Sequence, residues 1–368
     1  MPRTPDPVED GLDTTSPPRP VFHVEQALLG ALLLEPQRLG SVTGIVPDSF
    51  STAAHAALFS AIRSLPAPDP IEHAKNTKWL NQVLAAARDQ ARGLTASYLH
   101  SLIQVCPWPR HAPAYARMVE ADHSQRRLAA AAQRVMQTAG DTSLPHRVAT
   151  TLAEADALAA VVDDIAARFP AHSGPLPRTH APPLTANHDE EAVDEERLLL
   201  ATATAYPGNV DQMKWLTPGD FTHPLHAGLW QCLTTLTRRG TPVDPVTVLW
   251  EAQQHGLLNP GPRELLDLLA VPVGSPEHWG ERILQRSVLA TAHHIGLRIE
   301  AFTDDPATTP YQLVVGSRRA LADLSAVRTR WQHATSPAPT KRSARTRATA
   351  APRAGPPTTA PPAARISR

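Results

Sequence analysis

Two histidine residues in this chain are each followed by an aromatic residue four positions later within segments that resemble each other, a spacing that could support ligand binding. The two pairs are His55 with Phe59 and His226 with Trp230. Residues four apart lie on one face of a helix, and a helical histidine packed against an aromatic ring is more often a core residue than a ligand-binding one. We therefore interpret both pairs as structural, with a binding site as the alternative.

The acidic residues and the remaining motifs give no catalytic constellation. Glu25 and Glu196 lie where helices are expected to start, which suits the helix dipole and predicts a capping role. His293 and His294 are adjacent, so their side chains point in different directions from a helix, and the HExxH pair of zinc sites is absent. We expect no catalytic residue, no metal ion and no cofactor.

The elements that carry these residues are repeated. The segments Val24–Phe59 and Glu196–Trp230 place a glutamate, a phenylalanine, a histidine and a final aromatic residue at the same intervals. Self-similarity of this kind indicates two copies of one structural unit.

Composition predicts a helical protein. The 368 residues are 42% hydrophobic but only 5% aromatic, and the abundance of Ala and Leu favours helices over strands. The formal net charge is zero and the two cysteines stand far apart, which predicts a reducing compartment without disulfide bonds. No apolar run is long enough to span a membrane and no signal sequence is apparent, so we expect a cytoplasmic protein.

The fold class expected is all-α, with two tandem helical-bundle domains that each carry a protruding αα-hairpin. We expect a disordered arm over residues 1–20, copy 1 over 21–169 and copy 2 over 190–332. A Pro-rich linker, 170–189, joins the copies, and a basic tail follows from residue 333.

Within each copy the hairpin helices are predicted from apolar periodicity. The first hairpin pairs residues 111–138 with 145–169, and the second pairs 276–302 with 310–331. A single helix is predicted over residues 71–92. In the first hairpin, the first helix is expected to contact the second through Tyr115, Met118, Val119 and Val135. Arg126, Arg127 and Arg134 are expected on its solvent-exposed face.

The tail carries the one pronounced charge asymmetry. From Val327 onward there is no Asp or Glu. Such a segment could neutralise phosphates in a sequence-independent, salt-dependent way, although a merely solvated terminus is the alternative. The candidate nucleic-acid-binding residues are Lys341, Arg342, Arg345, Arg347 and Arg353.

Three motifs resemble the N-terminal domain of DnaB-type replicative helicases. The segment Val24–Leu33 is similar to the [AV]-E-Q-x-[LV]-L-G motif of the family's first helix. The repeated phenylalanine, histidine and final aromatic residue resemble the family's segment in which D-F is followed by H and then by [FW]. Gly240–Thr247 is similar to the family's G-x-P-[IV]-D element. The matching residues are Glu25, Gln26, Gly30, Phe50, His55 and Phe59 in copy 1, and Phe221, His226, Trp230 and Asp244 in copy 2.

The resemblance implies a function without catalysis. DnaB-type helicases continue into a RecA-like motor with a Gly-Lys-[Ser/Thr] P-loop, and no lysine of this sequence follows a glycine, so we expect no motor in this chain. In the family, hairpins pair between subunits and form a collar that also receives primase. The implied partners are therefore a replicative helicase, primase or loader, and the two copies could pair within one chain or in a homo-oligomer.

Two other functions remain open. The chain could be a stand-alone nucleic-acid-binding or regulatory protein that acts through its basic tail. It could also be a self-associating structural scaffold.

Overall fold

Helices account for all the regular secondary structure in the part of the chain that the computed structural model describes, which is residues 19–169, 189–257, 259 and 261–336. Copy 1 comprises α1 (Pro20–Leu34), α2 (Ala53–Ser64), α3 (Pro70–Lys75), α4 (Lys78–Arg88), α5 (Ala96–Val105), α6 (Ala112–Gly140) and α7 (Arg147–Arg168). Copy 2 comprises α8 (Glu190–Ala205), α9 (Pro207–Val210), α10 (Pro224–Arg239), α11 (Pro245–Gln254), α12 (Pro262–Leu268), α13 (Pro276–Asp304) and α14 (Pro310–Thr335). The predicted all-α class is confirmed.

Local sequence signals explain where several of these helices begin. The side chain of Thr52 accepts a hydrogen bond from the backbone N–H of His55 at 3.2 Å and caps α2. Asp244 accepts from the N–H groups of Val246 and Thr247 and caps α11. Side-chain oxygens at these positions satisfy N–H groups that have no partner inside the helix.

The first hydrophobic core lies within a bundle that we call head 1, formed by α1–α5 and the start of α6. Its central element is α1, in which every residue from Ala27 to Leu33 is buried. A helix that is apolar on all sides needs neighbours on all sides, and α1 contacts α2, α5 and α6. Gly30 lies at the crossing with α5, where a Cβ atom would overlap the carbonyl oxygen of Leu102.

A second core joins the two hairpins to head 2, the bundle formed by α8–α12 and the start of α13. Hairpin 1 is α6 with α7, and hairpin 2 is α13 with α14. Buried residues of all four helices belong to this core, among them Leu128, Leu158, Ile295 and Leu324. The described residues of 1–334 form one compact unit.

The hairpins pair through α6 and α13, which run antiparallel in close contact. Gln125 of α6 donates a hydrogen bond to the carbonyl oxygen of Thr303 on α13. At the centre, a Cβ on Gly296 would lie 3.1 Å from the carbonyl oxygen of Ala132. The offset of 164 residues that relates Tyr115 to Trp279 also relates Ala132 to Gly296, so the helices cross at equivalent positions, as a two-fold axis requires.

Two local predictions were wrong. The helix predicted over residues 71–92 is broken, because Asn76 is extended and its side chain accepts a hydrogen bond from the N–H of Lys78; α3 ends there and α4 starts anew. Met118 is 52% exposed rather than part of the hairpin seam, and Val119 packs in the core of head 1. The start of α6 therefore serves head 1, and the hairpin seam begins only at Leu128.

Residues 1–18, 170–188 and 337–368 lie outside the described part of the chain. The arm, the linker and the basic tail expected from the sequence fall almost wholly on these residues. Among the helices that the structure describes, none is long and apolar enough to cross a membrane.

Candidate functional site

A buried carboxylate–imidazole pair joins two helices of head 1. Oε2 of Glu25 on α1 lies 2.6 Å from Nδ1 of His55 on α2, and both side chains are fully buried. Ser51, just before α2, donates its backbone N–H and its hydroxyl to the same carboxylate, at 2.6 and 3.0 Å. Glu25 therefore binds the start of another helix. The predicted capping of its own helix was wrong, because α1 begins five residues earlier, at Pro20.

The other face of His55 is closed by aromatic side chains. Its Nε2 lies 2.6 Å from the hydroxyl oxygen of Tyr98 on α5, and the ring of Phe22 stacks on it with centroids 4.9 Å apart. Burial raises the pKa of Tyr98, so its hydroxyl can donate to Nε2 in the His55 tautomer that carries its proton on Nδ1, next to Glu25. The Glu25–His55–Tyr98 chain thus links α1, α2 and α5.

Head 2 repeats the first half of this network. Glu196 of α8 lies 2.8 Å from Nδ1 of His226, and it accepts the N–H and the hydroxyl of Thr222, both at 2.6 Å. Burial alone would raise the pKa of Glu196, but the hydrogen bonds from His226 and Thr222 outweigh it and hold that pKa below its usual range. Glu196 does not cap α8, which begins at Glu190.

The second half of the network is missing from head 2. Tyr98 is the third residue of α5, directly before the buried Leu99, and the third residue of α12, directly before the buried Leu265, is Glu264. His226 is 2% exposed, and its Nε2 has no hydrogen-bond partner among the residues that the structure describes.

A cavity of about 830 Å³ opens at this point of head 2. It forms because α12 is only seven residues long and touches α8 far less than α5 touches α1. Its polar lining residues are Asp194, Arg197, His223, His226, Asn259, Glu264 and Asp267, and its apolar lining residues include Leu198, Ala201, Leu225 and Leu268.

The two heads therefore differ in what they can do. In head 1 the imidazole is enclosed by Glu25, Tyr98 and Phe22, and the arrangement stabilises the crossing of three helices. In head 2 the equivalent imidazole borders an open cavity with acidic walls. In the described residues no group of three or more His, Cys, Asp or Glu side chains is arranged to hold a metal ion.

The remaining family-motif residues lie around these networks. The rings of Phe50 and Phe59 pack 5.0 Å apart in head 1, and those of Phe221 and Trp230 pack 5.9 Å apart in head 2. Gln26 lies beside the network, 3.3 Å from His23. These contacts place Phe50, Phe59, Phe221 and Trp230 in or against the two cores.

The candidate nucleic-acid-binding residues Lys341, Arg342, Arg345, Arg347 and Arg353 lie outside the described residues. The arginines of α6 are not simply solvated, contrary to the expectation from the sequence. Arg126, Arg127 and Arg134 pair with Asp122, Asp164 and Glu154, respectively.

Three residues with buried polar contacts could not be identified from the sequence pattern. Tyr98, Ser51 and Asp220 lie near helix starts or in a turn, and nothing local indicates which groups they bind. Asp220 is buried and accepts hydrogen bonds from Ser287 of α13 and Arg330 of α14. The sequence did contain one signal for the contacts of the glutamates. In both copies the histidine lies 30 residues after its glutamate partner and four residues after the serine or threonine that also binds that glutamate.

The two copies also match a known family. Residues 17–121 and 188–281 match the model of the DnaB-like helicase N-terminal domain, and together they make up more than half of the chain. The matches are to this domain and not to the RecA-like motor. No curated protein and no solved structure shows significant similarity. With two matches in tandem, on two copies of one helical fold, the chain belongs to the family of the DnaB-like helicase N-terminal domain.

Proposed function

We propose that this chain is a non-catalytic interaction protein of DNA replication, which binds a replicative helicase, primase or loader through its paired hairpins. The observation that carries the proposal is the antiparallel pairing of α6 and α13 across Ala132 and Gly296. The family resemblance implies collar formation through paired hairpins. Here the pair forms inside one chain, and the outer helices α7 and α14 remain available to a partner.

The outer surface of hairpin 1 suits such a contact. Ala153, Ala157, Ala160 and Ala167 of α7 are all exposed and follow helical spacing, so a partner helix can approach the backbone closely. Under this proposal the domain organisation is that of two interaction domains, residues 21–169 and 190–332, joined by a linker.

The test is a binding measurement with purified helicase, primase and loader from the same organism, with the full-length chain immobilised. The variant Ala153→Arg/Ala157→Arg places two long charged side chains on the exposed surface and should weaken binding at least about tenfold, as disruption of a central interface residue does. The matched control is Ala85→Arg/Ala114→Arg on exposed positions of copy 1. Equal binding by both variants would refute hairpin-mediated recognition.

We further propose that the basic tail contacts DNA, because no acidic residue lies between Val327 and Arg368. Replacing Lys341, Arg342, Arg345, Arg347 and Arg353 with alanine should lower duplex affinity and reduce the slope of log K against log salt by about 0.9 for each phosphate that the tail no longer neutralises. An unchanged slope would contradict this role. If DNA binding persists when all partner binding is abolished, the regulatory nucleic-acid-binding function is favoured instead.

A self-associating scaffold is the third possibility. It predicts strong concentration-dependent oligomerisation, with neither DNA nor helicase, primase or loader bound. Sedimentation velocity over a range of concentrations separates it from the other two.

A further inference from the structure

One stretch of head 1 is free of acidic residues. The thirty residues 90–119, which include α5, the 3₁₀ turn Pro109–His111 and the start of α6, contain neither Asp nor Glu. In head 2 the counterpart of residues 96–119 is 262–283, which contains Glu264, Asp267, Glu277 and Glu281. Because both copies match one domain family, the fold itself does not require this difference in charge.

Two arginines give this part of head 1 a positive charge that no acidic side chain offsets. Arg110 and Arg117 are both exposed, and neither forms an ion pair with another described residue. They are seven residues apart where the 3₁₀ turn continues directly into α6, so they lie on one side of the helix, about 10 Å apart along its axis. The acidic residues at the border, Glu35 near Cys106 and Glu120, are already bound to other arginines.

The same stretch carries an exposed aromatic ring. Trp108 is 56% exposed, and the guanidinium group of Arg110 lies 5.0 Å from its ring centroid, a cation–π contact that helps to hold the ring in place. Val105 and Met118 are also half-exposed. Covering such a ring with a flat apolar group is favourable. We call these five residues the Trp108 face.

We propose that the Trp108 face binds single-stranded nucleic acid, with a base stacked on Trp108 and phosphates bound by Arg110 and Arg117. Single-stranded nucleic acid combines negative charges with flat rings that are free to stack on an aromatic side chain, whereas the bases of a duplex are stacked on one another. An acidic protein segment would match the arginines but would offer the ring no flat partner.

This site is separate from the basic tail and from the hairpin surface, and it does not rest on the binding of a helicase, primase or loader. Stacking accepts every base, because each has a flat face. The site is therefore expected to bind strands of different sequence.

The experiment measures the fluorescence anisotropy of a labelled oligodeoxythymidylate and of an abasic strand of the same length. The full-length protein is used, with alanine at the five basic tail positions so that the tail does not hide the contribution of head 1. Trp108→Ala is compared with Trp250→Ala, because Trp250 is 62% exposed on α11 of head 2.

Trp108→Ala should weaken binding of the oligodeoxythymidylate at least about fivefold, through the loss of one stacked base, and should leave the affinity for the abasic strand unchanged. Trp250→Ala should change neither affinity. Trp108→Phe keeps an aromatic ring and should retain most of the binding. Circular dichroism of each variant shows that the chain remains folded.

Neutralising the arginines should affect both strands. Arg110→Gln/Arg117→Gln should weaken binding of each strand and reduce the slope of log K against log salt by about 0.7 for each phosphate that is no longer neutralised. The matched control is Arg238→Gln/Arg263→Gln, which removes two charges from exposed positions of head 2 and should leave the slope unchanged.

Three results would each overturn the proposal: no binding of oligodeoxythymidylate by the protein with the neutral tail, an unchanged affinity in Trp108→Ala, or an equal loss for both strands in that variant. Variants of the Trp108 face that lose a protein partner while they keep their affinity for the oligonucleotide would also overturn it, and would identify the face as a protein interface.

Discussion

The residue that distinguishes the two copies most clearly is Tyr98. Its hydroxyl completes the hydrogen bonding of a histidine that has no access to water. Tyr98→Phe keeps the ring but leaves Nε2 of His55 without a donor. We expect the free energy of unfolding to fall by about 1–3 kcal/mol, the cost of an unsatisfied buried polar group.

Urea denaturation of full-length protein measures this loss, with Tyr206→Phe as the control because Tyr206 is 54% exposed. A loss of less than about 0.5 kcal/mol for Tyr98→Phe, the range of ordinary surface substitutions, would show that water or another group replaces the hydroxyl.

The lowered pKa of Glu196 predicts a pH dependence of stability. A carboxyl with a lower pKa in the folded state binds fewer protons there than in the unfolded chain. Its contribution is therefore fully present above the unfolded value of 4.5 and is lost as pH falls through the folded pKa. The difference in unfolding free energy between the wild type and Glu196→Gln should shrink as the pH is lowered below 4.5.

Urea denaturation at a series of pH values from neutral downward measures this difference. Thr222→Val removes one of the two hydrogen bonds that Thr222 donates to Glu196 and should reduce the pH dependence only in part. A difference that stays constant through this range would mean that the carboxyl has the same pKa in the folded and the unfolded chain, which would contradict the lowered pKa.

At the scale of elements, the crossing of α1 and α5 depends on Gly30. A side chain there would overlap the backbone of α5 at Leu102 and the Cβ of Cys106, and backbone cannot yield as a flexible side chain can. Gly30→Ala should destabilise the protein by about 1–3 kcal/mol through overpacking. The control is Gly40→Ala, since a Cβ at Gly40 would meet no atom within 4 Å.

Thermal unfolding followed by circular dichroism compares the two glycine variants. A Gly30→Ala protein as stable as the wild type would show that α5 moves away from α1 without cost. Head 2 already has a side chain at the position equivalent to Gly30, namely Ala201, and the helix beside it there is the shorter α12.

Helices and their order could be predicted from apolar periodicity, proline positions and capping residues, because these signals are local. The end of α3 at Asn76 was not predicted, because the hydrogen bond of the Asn76 side chain to the N–H of Lys78 competes with continuation of the helix. The composition of the segment does not reveal which of the two conformations is more stable. The Glu25–His55–Tyr98 network joins residues 30 and 43 positions apart, so it depends on tertiary packing that no local pattern encodes.

At the scale of the whole molecule, the shared core predicts that the two copies hold together without the linker. Cleaving a protease site engineered into residues 170–188 should leave both halves in one complex on size-exclusion chromatography, because α6 and α13 bury apolar residues against each other. Ala132→Glu buries a charge at the crossing and should separate the halves after cleavage.

The uncut Ala132→Glu chain, checked by circular dichroism, shows whether each copy still folds. Wild-type halves that separate on cleavage would indicate that the pairing depends on the covalent link. The ion pair of Arg318 on α14 with Asp163 on α7, at 2.8 Å, has both side chains more than half exposed and should add no more than about 1 kcal/mol.

The crossing at Ala132 and Gly296 has an evolutionary consequence. In a dimer of identical chains every substitution appears twice, once on each side of the symmetry axis, so a change that opens one head opens both. In this chain the two copies occupy different stretches of one sequence, so a substitution in one copy leaves the other unchanged. Because the copies are covalently linked, each stays at a high effective concentration near the other whatever the amount of protein present. Selection can therefore keep a tyrosine at position 98 for rigidity while leaving position 264 free to become a glutamate.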